Sequence, residues 1–426
     1  MNDVRPQDRS VHEWYRFVLS FPPHLVQHYL DRFAMRPEHT VLDPFAGTGT
    51  TLVECKKRGI ASVGIESNPM ARFASSVKLY WSVDPSVLSD YSSEVADRTR
   101  AAIARDGYSD WNDLPLFAEG NEACTPLRAL TAEQSKLLLK DSISPLPLHK
   151  TLVLLDAIDT CGDPPLPRYG RLALATALVR DIGNVKFGPE VGVGKLKDDA
   201  PVVDSWLNHM RTMIDDLCQT RDRAKIPASI HQGDSRRVDQ ILRPRSVDAV
   251  ITSPPYPNEK DYTRTTRLES VILGLIGDVT GLRALKKELI RSNTRGVYKG
   301  DADDLEVAAH EAIQEIADKI EQRRLELGKT SGFERMYARV TKLYFGGMAK
   351  HFAALRTVLN PGARLAYVVG DQASYLRVMI RTGTLLADIA KSLGYRVEGI
   401  DLFRTRLSTA TGEQLREEVV LLQWPK

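Results

Sequence analysis

The chain has 426 residues, 42% of them hydrophobic and 27% charged, with a formal net charge of +3 at neutral pH. That length supports a large core and two lobes, and the mildly basic balance admits nucleic acid as a partner without requiring it. No apolar run reaches the length of a membrane span, and the polar opening MNDVRPQDRS has no apolar segment behind it, so a cytoplasmic protein with no membrane association is expected. The four cysteines, Cys55, Cys124, Cys161 and Cys218, are scattered without a C-x-x-C pair; reduced thiols and no metal are expected.

Val11 to Phe33 reads as two helical pieces joined at Phe21-Pro22-Pro23, with Leu25, Val26, Tyr29, Leu30 and Phe33 at helical spacing and therefore in the core. VLDPFAGTGTT, residues 41 to 51, reads as a strand ending at Asp43, a turn carrying Gly47 and Gly49, and a helix from about Thr50. Such a turn brings backbone N–H groups close to a ligand's negative charge. The helix buries Leu52, Val53 and Cys55 and closes at Gly59. A second strand, Ala61 to Ile65, ends at Glu66, and Ser67-Asn68-Pro69 caps the next helix. This is a βαβ unit of the doubly wound type. An acidic residue in the position of Glu66 accepts both hydroxyls of a ligand's ribose.

From 81 to 225 the strand and helix alternation stops, and helical patches are expected at Val83 to Ala104, Ala132 to Leu139, Tyr169 to Arg180 and Asp204 to Arg223. In the last patch Trp206, Met210, Met213, Ile214 and Leu217 form an amphipathic core face. GNVKFGPEVGVGKLKDDAP, with Lys186, Lys195 and Lys197, reads as a flexible loop, either ordering on a phosphate backbone or simply solvated. The sheet resumes at Ala228 to His231, before Gly233-Asp234, and continues with Val247 to Thr252, which runs into Ser253-Pro254-Pro255-Tyr256. Two successive prolines lack N–H groups and fix φ, so the chain leaves the sheet as a rigid polar loop at a strand end, where open α/β sheets bind ligands. A second insertion at about 257–356 holds DYTRTTRLES, the basic stretch IRSNTRGVYKG, and helices at Asp304 to Leu327 and Phe333 to Leu359. Asn360-Pro361-Gly362 is a turn, Arg364 to Val369 a strand before Gly370-Asp371, and Thr384 to Leu393 a helix. Arg396 to Leu402 and Glu417 to Gln423 flank FRTRLSTATGEQLR as an antiparallel hairpin and complete seven strands.

Together, VLDPFAGTGTT and DAVITSPPYPN resemble the amino-group DNA methyltransferases, which use S-adenosylmethionine and place (D/N/S)-PP-(Y/F/W) after the fourth strand; Ser-Pro-Pro-Tyr is most similar to the N4-cytosine members. The resemblance implies an α/β fold: a Rossmann-like seven-stranded methyltransferase sheet, mostly parallel with one antiparallel strand, plus a largely helical inserted lobe. Residues 1–80 and 226–426 would be the two parts of the catalytic domain and 81–225 a helical insertion and candidate target-recognition region. S-adenosylmethionine, leaving as S-adenosylhomocysteine, would be held by Phe21, Asp43, Pro44, Phe45, Gly47, Gly49, Thr50, Glu66 and Asp234. In that set Phe21 folds over the methionine end, Glu66 takes the ribose and Asp234 the adenine amino group. Ser253, Pro254, Pro255 and Tyr256 would form the catalytic loop.

An exocyclic amine is a poor nucleophile because its lone pair is delocalised into the ring. The Ser253 hydroxyl and the Pro254 carbonyl supply two acceptors that localise and aim it, and proton loss can follow methyl transfer, so no strong base is needed. The base must leave the duplex, and Tyr256 offers a ring face for it to stack on. Carbon-5 methylation is excluded, because it needs a cysteine nucleophile on this loop and none of the four lies near Ser253. Asp261, Tyr262, Arg264 and Arg267, with Arg291, Arg295, Tyr298 and Lys299, are candidate nucleic-acid contacts, the alternative for the basic stretch being a solvated face. The expected activity is site-specific methylation of N4 of a flipped-out cytosine in double-stranded DNA; alternatives are N6-adenine in DNA, an amino group of RNA, or a silent nucleic-acid-binding protein that keeps the pocket. A cognate restriction or defence system is an expected partner, the protein being a monomer or homodimer. The motif order leaves open which insertion reads the target.

Overall fold

The central strands carry short runs of branched apolar residues, and a sheet covered on both faces is what such runs can bury. The protein, seen here as a computed structural model, is described over residues 5–16, 20–110, 125–187, 191–258, 260–407, 412 and 414–425. Its main sheet comprises β1 (Thr40–Asp43), β2 (Ala61–Glu66), β3 (Ala228–Gln232), β4 (Val247–Thr252), β5 (Leu359–Gly370), β6 (Arg396–Leu407) and β7 (Gln414–Gln423). They lie in the order β3-β2-β1-β4-β5-β7-β6. All neighbours are parallel except that β7 runs antiparallel to β5 and β6. This is the expected Rossmann-like methyltransferase sheet.

Register sorts the side chains by parity. Val41 lies opposite Ala249, and Leu42, Val250, Leu365 and Leu422 follow one another across four strands. Val41, Ala249, Ile251, Val368 and Leu421 face α1 (Pro23–Arg32), packing on its Leu25, Val26, Tyr29 and Leu30. Their neighbours Leu42, Val250, Leu365, Tyr367 and Leu422 share the opposite core with helices of the second insertion and the C-terminal part. A shift of one residue in β1 would exchange the faces of Val41 and Leu42.

The first insertion does not stand apart from the sheet. Helices α2 (Thr50–Lys57) and α3 (Pro69–Lys78) share one apolar cluster with α4 (Pro85–Arg105), α5 (Pro145–Thr160), α6 (Leu166–Ala177) and α7 (Val202–Thr220), through residues such as Leu52, Val77, Val95, Leu154, Leu172 and Trp206. Several local expectations change. Helix α5 was not expected. The glycine-bearing stretch contains a short hairpin, Val185–Phe187 with Val191–Val193, and Lys197 turns inward to the carbonyls of Asp181 and Gly183. The helix expected from Asp304 is a 3₁₀ turn, Asp303–Val307, followed by α8 (Glu311–Glu326), with α9 spanning Tyr337–Val358. Asn360-Pro361-Gly362 is drawn into β5 as an irregularity in its pairing with β4. Helix α10 (Thr382–Ser392) closes the C-terminal side. Cys124 and part of the β6–β7 loop fall outside the described residues.

Lys150 on α5 is fully buried, with Nζ 2.7 Å from Asp199 Oδ1 and 3.6 Å from Asp110 Oδ1. Asp110 in turn accepts the N–H groups of Val202 and Val203, at 3.0 and 2.9 Å, at the start of α7. Lys150→Ala removes the counter-ion of both carboxylates and is expected to cost about 3 kcal/mol. A urea-unfolding midpoint equal to that of the wild type would contradict this.

Candidate active site

β1 ends at Asp43, and the chain reaches α2 through a turn in which Gly47 and Gly49 have φ of +51° and +85°, values that suit glycine. A Cβ on Gly49 would lie 2.5 Å from Ser75 Oγ of α3, so the turn is also packed too closely for a side chain. At the end of β2, Glu66 accepts the Gly47 N–H through Oε2 at 2.8 Å and the Asn68 N–H through Oε1 at 2.7 Å. Burial pushes the Glu66 carboxyl up to about 7 against the pull of these donors. Each of its oxygens keeps acceptor capacity for a further hydroxyl. Asn68 accepts the N–H groups of Met70 and Ala71 and so caps α3.

Two hydroxyls tie this turn to the neighbouring strand. Thr252, the last residue of β4, donates to Asp43 Oδ1 at 2.6 Å, and Thr51 of α2 donates to the Ile251 carbonyl at 3.0 Å. Asp43 Oδ1 also accepts the Phe45 N–H at 3.1 Å, while Oδ2 is buried without a partner. Burial pushes the Asp43 carboxyl up to about 6.

Beyond Thr252 the Ser253 hydroxyl donates to the Val368 carbonyl of β5 at 3.1 Å and also engages the Tyr256 side chain, and its oxygen, with two lone pairs, keeps acceptor capacity. The Tyr256 N–H donates to the Tyr262 phenol at 3.3 Å, and the Tyr256 ring lies over Gly370, where a Cβ would stand 3.0 Å from Cε2. One cavity of about 1020 Å³ reaches from Phe21, Pro44, Phe45, Gly47, Thr50 and Glu66 to Ser253, Pro254, Pro255 and Tyr256. Asp43 and Gly49 stand behind this lining and shape it.

The remaining expected residues divide. Asp261 and Tyr262 line the cavity, but the Asp261 carboxylate is engaged by Lys286 at 2.7 Å and by the Thr263 N–H at 3.0 Å. Asp234 does not line it: Arg236 grips its carboxylate and bridges it to Asp303, which also holds Lys350 at 2.8 Å. Gly233 and Ser235, on either side, do border the cavity. Arg267 is turned to Thr263 and the Leu137 carbonyl, and Arg291, 4% exposed, is paired with Asp301 at 2.8 Å and faces the Tyr298 ring. Both arginines are held by internal acceptors that a charge run does not reveal, and Arg291 also lines the cavity. Arg295 and Lys299 are exposed, and Arg264 is half-buried.

Sequence reasoning missed Lys260, the neighbours of Arg291 from Glu288 to Asn293, and Gln372 to Ser374, all on the cavity wall. Gln372 follows a strand end and was within reach of the strand-end rule. Among the described residues none of 81–225 lines the cavity, whereas the second insertion supplies one wall. Among the described residues no group of three or more His, Cys, Asp and Glu could hold a metal, although His24 and His28 stand one turn apart on α1.

A DNA methylase family matches residues 4–73, which include the glycine turn and Glu66. The type II methyltransferase M.BsoBI of Geobacillus stearothermophilus is 25% identical over 425 residues, covering 92% of this chain and 79% of its own. M.AvaI of Nostoc sp. strain PCC 7120 is 25% identical over 421 residues, covering 94% and 81%. The family match and these relatives support an amino-group DNA methyltransferase family. A further type II methyltransferase, M.MjaII of Methanocaldococcus jannaschii, is 36% identical over 75 residues, 18% of this chain and 14% of its own. An rRNA methyltransferase structure from Streptomyces viridochromogenes covers 96% of this chain and 89% of its own at 10% identity, with a TM-score of only 0.34. Similarity to the DNA methylase family implies use of S-adenosylmethionine.

Asp43 gives the protein a measurable pH signature. Its folded carboxyl is raised above the ordinary value near 4, so its stabilising contribution is complete below that value and is lost as pH rises through about 6. Relative to Asp43→Asn, the wild type is expected to lose about 2 kcal/mol of unfolding free energy between pH 4 and pH 7. Parallel stability curves for the two proteins would contradict the assignment.

Proposed function

We propose that the protein transfers a methyl group from S-adenosylmethionine to the exocyclic N4 of a cytosine flipped out of double-stranded DNA. The observation that carries this reading is the single cavity joining the glycine turn and Glu66 to Ser253-Pro254-Pro255-Tyr256. Its volume of about 1020 Å³ suits a cofactor and a base together. The match to a DNA methylase family supports DNA as the substrate. Serine at the head of the loop, as in the N4-cytosine members, supports cytosine.

S-adenosylmethionine when bound supplies an electrophilic methyl on a sulfonium sulfur and departs as S-adenosylhomocysteine. On this chain, Glu66 accepts the ribose hydroxyls, the Gly47 turn lets the backbone approach closely, and Phe21 closes over the methionine end. Asp43 holds the turn from behind. Gly233 and Ser235 would border the adenine, and Asp234 fixes that corner through Arg236. Ser253 Oγ, with its own proton committed to the Val368 carbonyl, and the Pro254 carbonyl accept hydrogen bonds from the two amine N–H groups of the base. The lone pair is thereby aimed at the methyl, and one proton leaves to solvent after transfer. Tyr256, its backbone braced by Tyr262, stacks on the extruded base. The second insertion, which shares the cavity wall, reads the flanking sequence, and 81–225 serves the core. The type II designation of the relatives favours a cognate restriction or defence system as partner.

Two experiments test this. Single-molecule sequencing of DNA from cells expressing the wild type is expected to reveal a modified-cytosine motif that Ser253→Ala reduces by roughly 10²–10³-fold in rate. Modified adenine would redirect the reading to N6, and unmodified DNA beside methylated RNA would overturn it. For the cofactor, ionised Glu66 is the better acceptor and prevails above about pH 7, so affinity by calorimetry is expected to tighten roughly tenfold from pH 6 to pH 8. Glu66→Gln should bind more weakly with a flat profile; a variant that keeps the slope would remove Glu66 from the ribose.

A further inference from the structure

Gln372 is 4% exposed, lines the cavity, and has an Nε2 buried without any hydrogen-bond partner. Its backbone, by contrast, is fixed on both sides: its N–H donates to the Ile380 carbonyl at 3.1 Å and its carbonyl accepts the Ile380 N–H at 2.7 Å. The preceding Asp371 is fully buried and held by Arg381 and Arg416. A side-chain amide on so rigid a support, left without a partner, costs stability unless a ligand supplies an acceptor. Its position shows which ligand. A Cβ built on Gly370 would lie 3.0 Å from the Tyr256 ring and 3.6 Å from Gln372 Nε2, so the amide sits beside the ring on which a base would stack.

We propose that Gln372 is a specificity-determining residue that donates to the ring nitrogen next to the amine-bearing carbon of the target base. This rests on the base-flipping reading of the same site. In cytosine and adenine that ring nitrogen carries no proton and accepts, whereas in thymine and guanine the corresponding nitrogen carries a proton and its neighbouring carbon a carbonyl. A donor at Gln372, combined with acceptors at Ser253 Oγ and the Pro254 carbonyl, therefore matches an amine beside an unprotonated nitrogen. It mismatches the corresponding edge of thymine and guanine, where a carbonyl and an N–H take the places of the amine and the unprotonated nitrogen. A buried donor facing the wrong edge would be left unpaired, and that penalty is how such sites discriminate.

The test uses the full chain and two duplexes carrying the methylation site mapped in expressing cells, one with the natural target base and one with its deaza analogue, in which C–H replaces that ring nitrogen. The wild type is expected to lose roughly ten- to hundredfold in kcat/KM on the deaza duplex. Gln372→Met and Gln372→Glu should both be slower on the natural duplex, show a much smaller deaza penalty, and keep the wild-type affinity for S-adenosylmethionine. Indifference of the wild type to the deaza substitution overturns the proposal, whatever the variants do. So does an undiminished deaza penalty in a variant that binds cofactor, or a loss confined to cofactor affinity. Failure of the wild type to methylate the natural duplex would instead refute the proposed function.

Discussion

The short hydrogen bond from Thr252 to the buried carboxyl of Asp43, 2.6 Å long, joins the ends of two strands that are adjacent in the sheet and 209 residues apart in the chain. Everything at the site depends on that junction. On one side the chain turns through Gly47 and Gly49 into α2; on the other it leaves the sheet through Ser253 and two prolines. The Thr51 hydroxyl on the Ile251 carbonyl adds a second tie between the same two elements. Parallel pairing of β1 with β4 brings both loops to one edge, as the strand-end rule for doubly wound sheets requires. An apolar pair at Asp43 and Thr252 would fill the space but would leave the Phe45 N–H without its acceptor.

The same economy of partners runs through the cavity wall. Groups that shape the wall have their hydrogen bonds spent inside the protein: Ser253 gives its proton to Val368, Tyr262 takes the Tyr256 N–H, and Arg236 absorbs the charge of Asp234. What faces the cavity is the residue of that accounting, namely spare acceptor capacity on Glu66 and Ser253 and an unpaired donor on Gln372. Preorganised groups of this kind do not have to reorganise when charge develops, which is the usual origin of electrostatic rate enhancement.

Much of this was legible in the sequence, for identifiable reasons. The seven strands were readable because their branched apolar runs are short and end at glycine, proline or acidic residues, and the convergence of Phe21, Gly47, Glu66 and Ser253 on one cavity follows from where those strands end. Helix α5 was hidden because PLPLHKTLVLLDAIDT is apolar almost all round and so lacks a helical period. Arg267 and Arg291 looked like surface charge because a charge run does not encode direction; their acceptors, the Leu137 carbonyl and Asp301, are set by packing. The place of the second insertion on the cavity wall was equally unreadable, since helical content alone says nothing about which sheet edge an insertion covers.

The central claim is that one cavity holds the methyl donor at the glycine turn and the acceptor base at the proline loop. A crystal structure of the protein with S-adenosylhomocysteine tests it most directly. The ribose should lie on Glu66, and the sulfur should point along the cavity toward Ser253 and Tyr256. Density for the ligand in another part of the molecule, or a sulfur facing away from Ser253, would contradict the account.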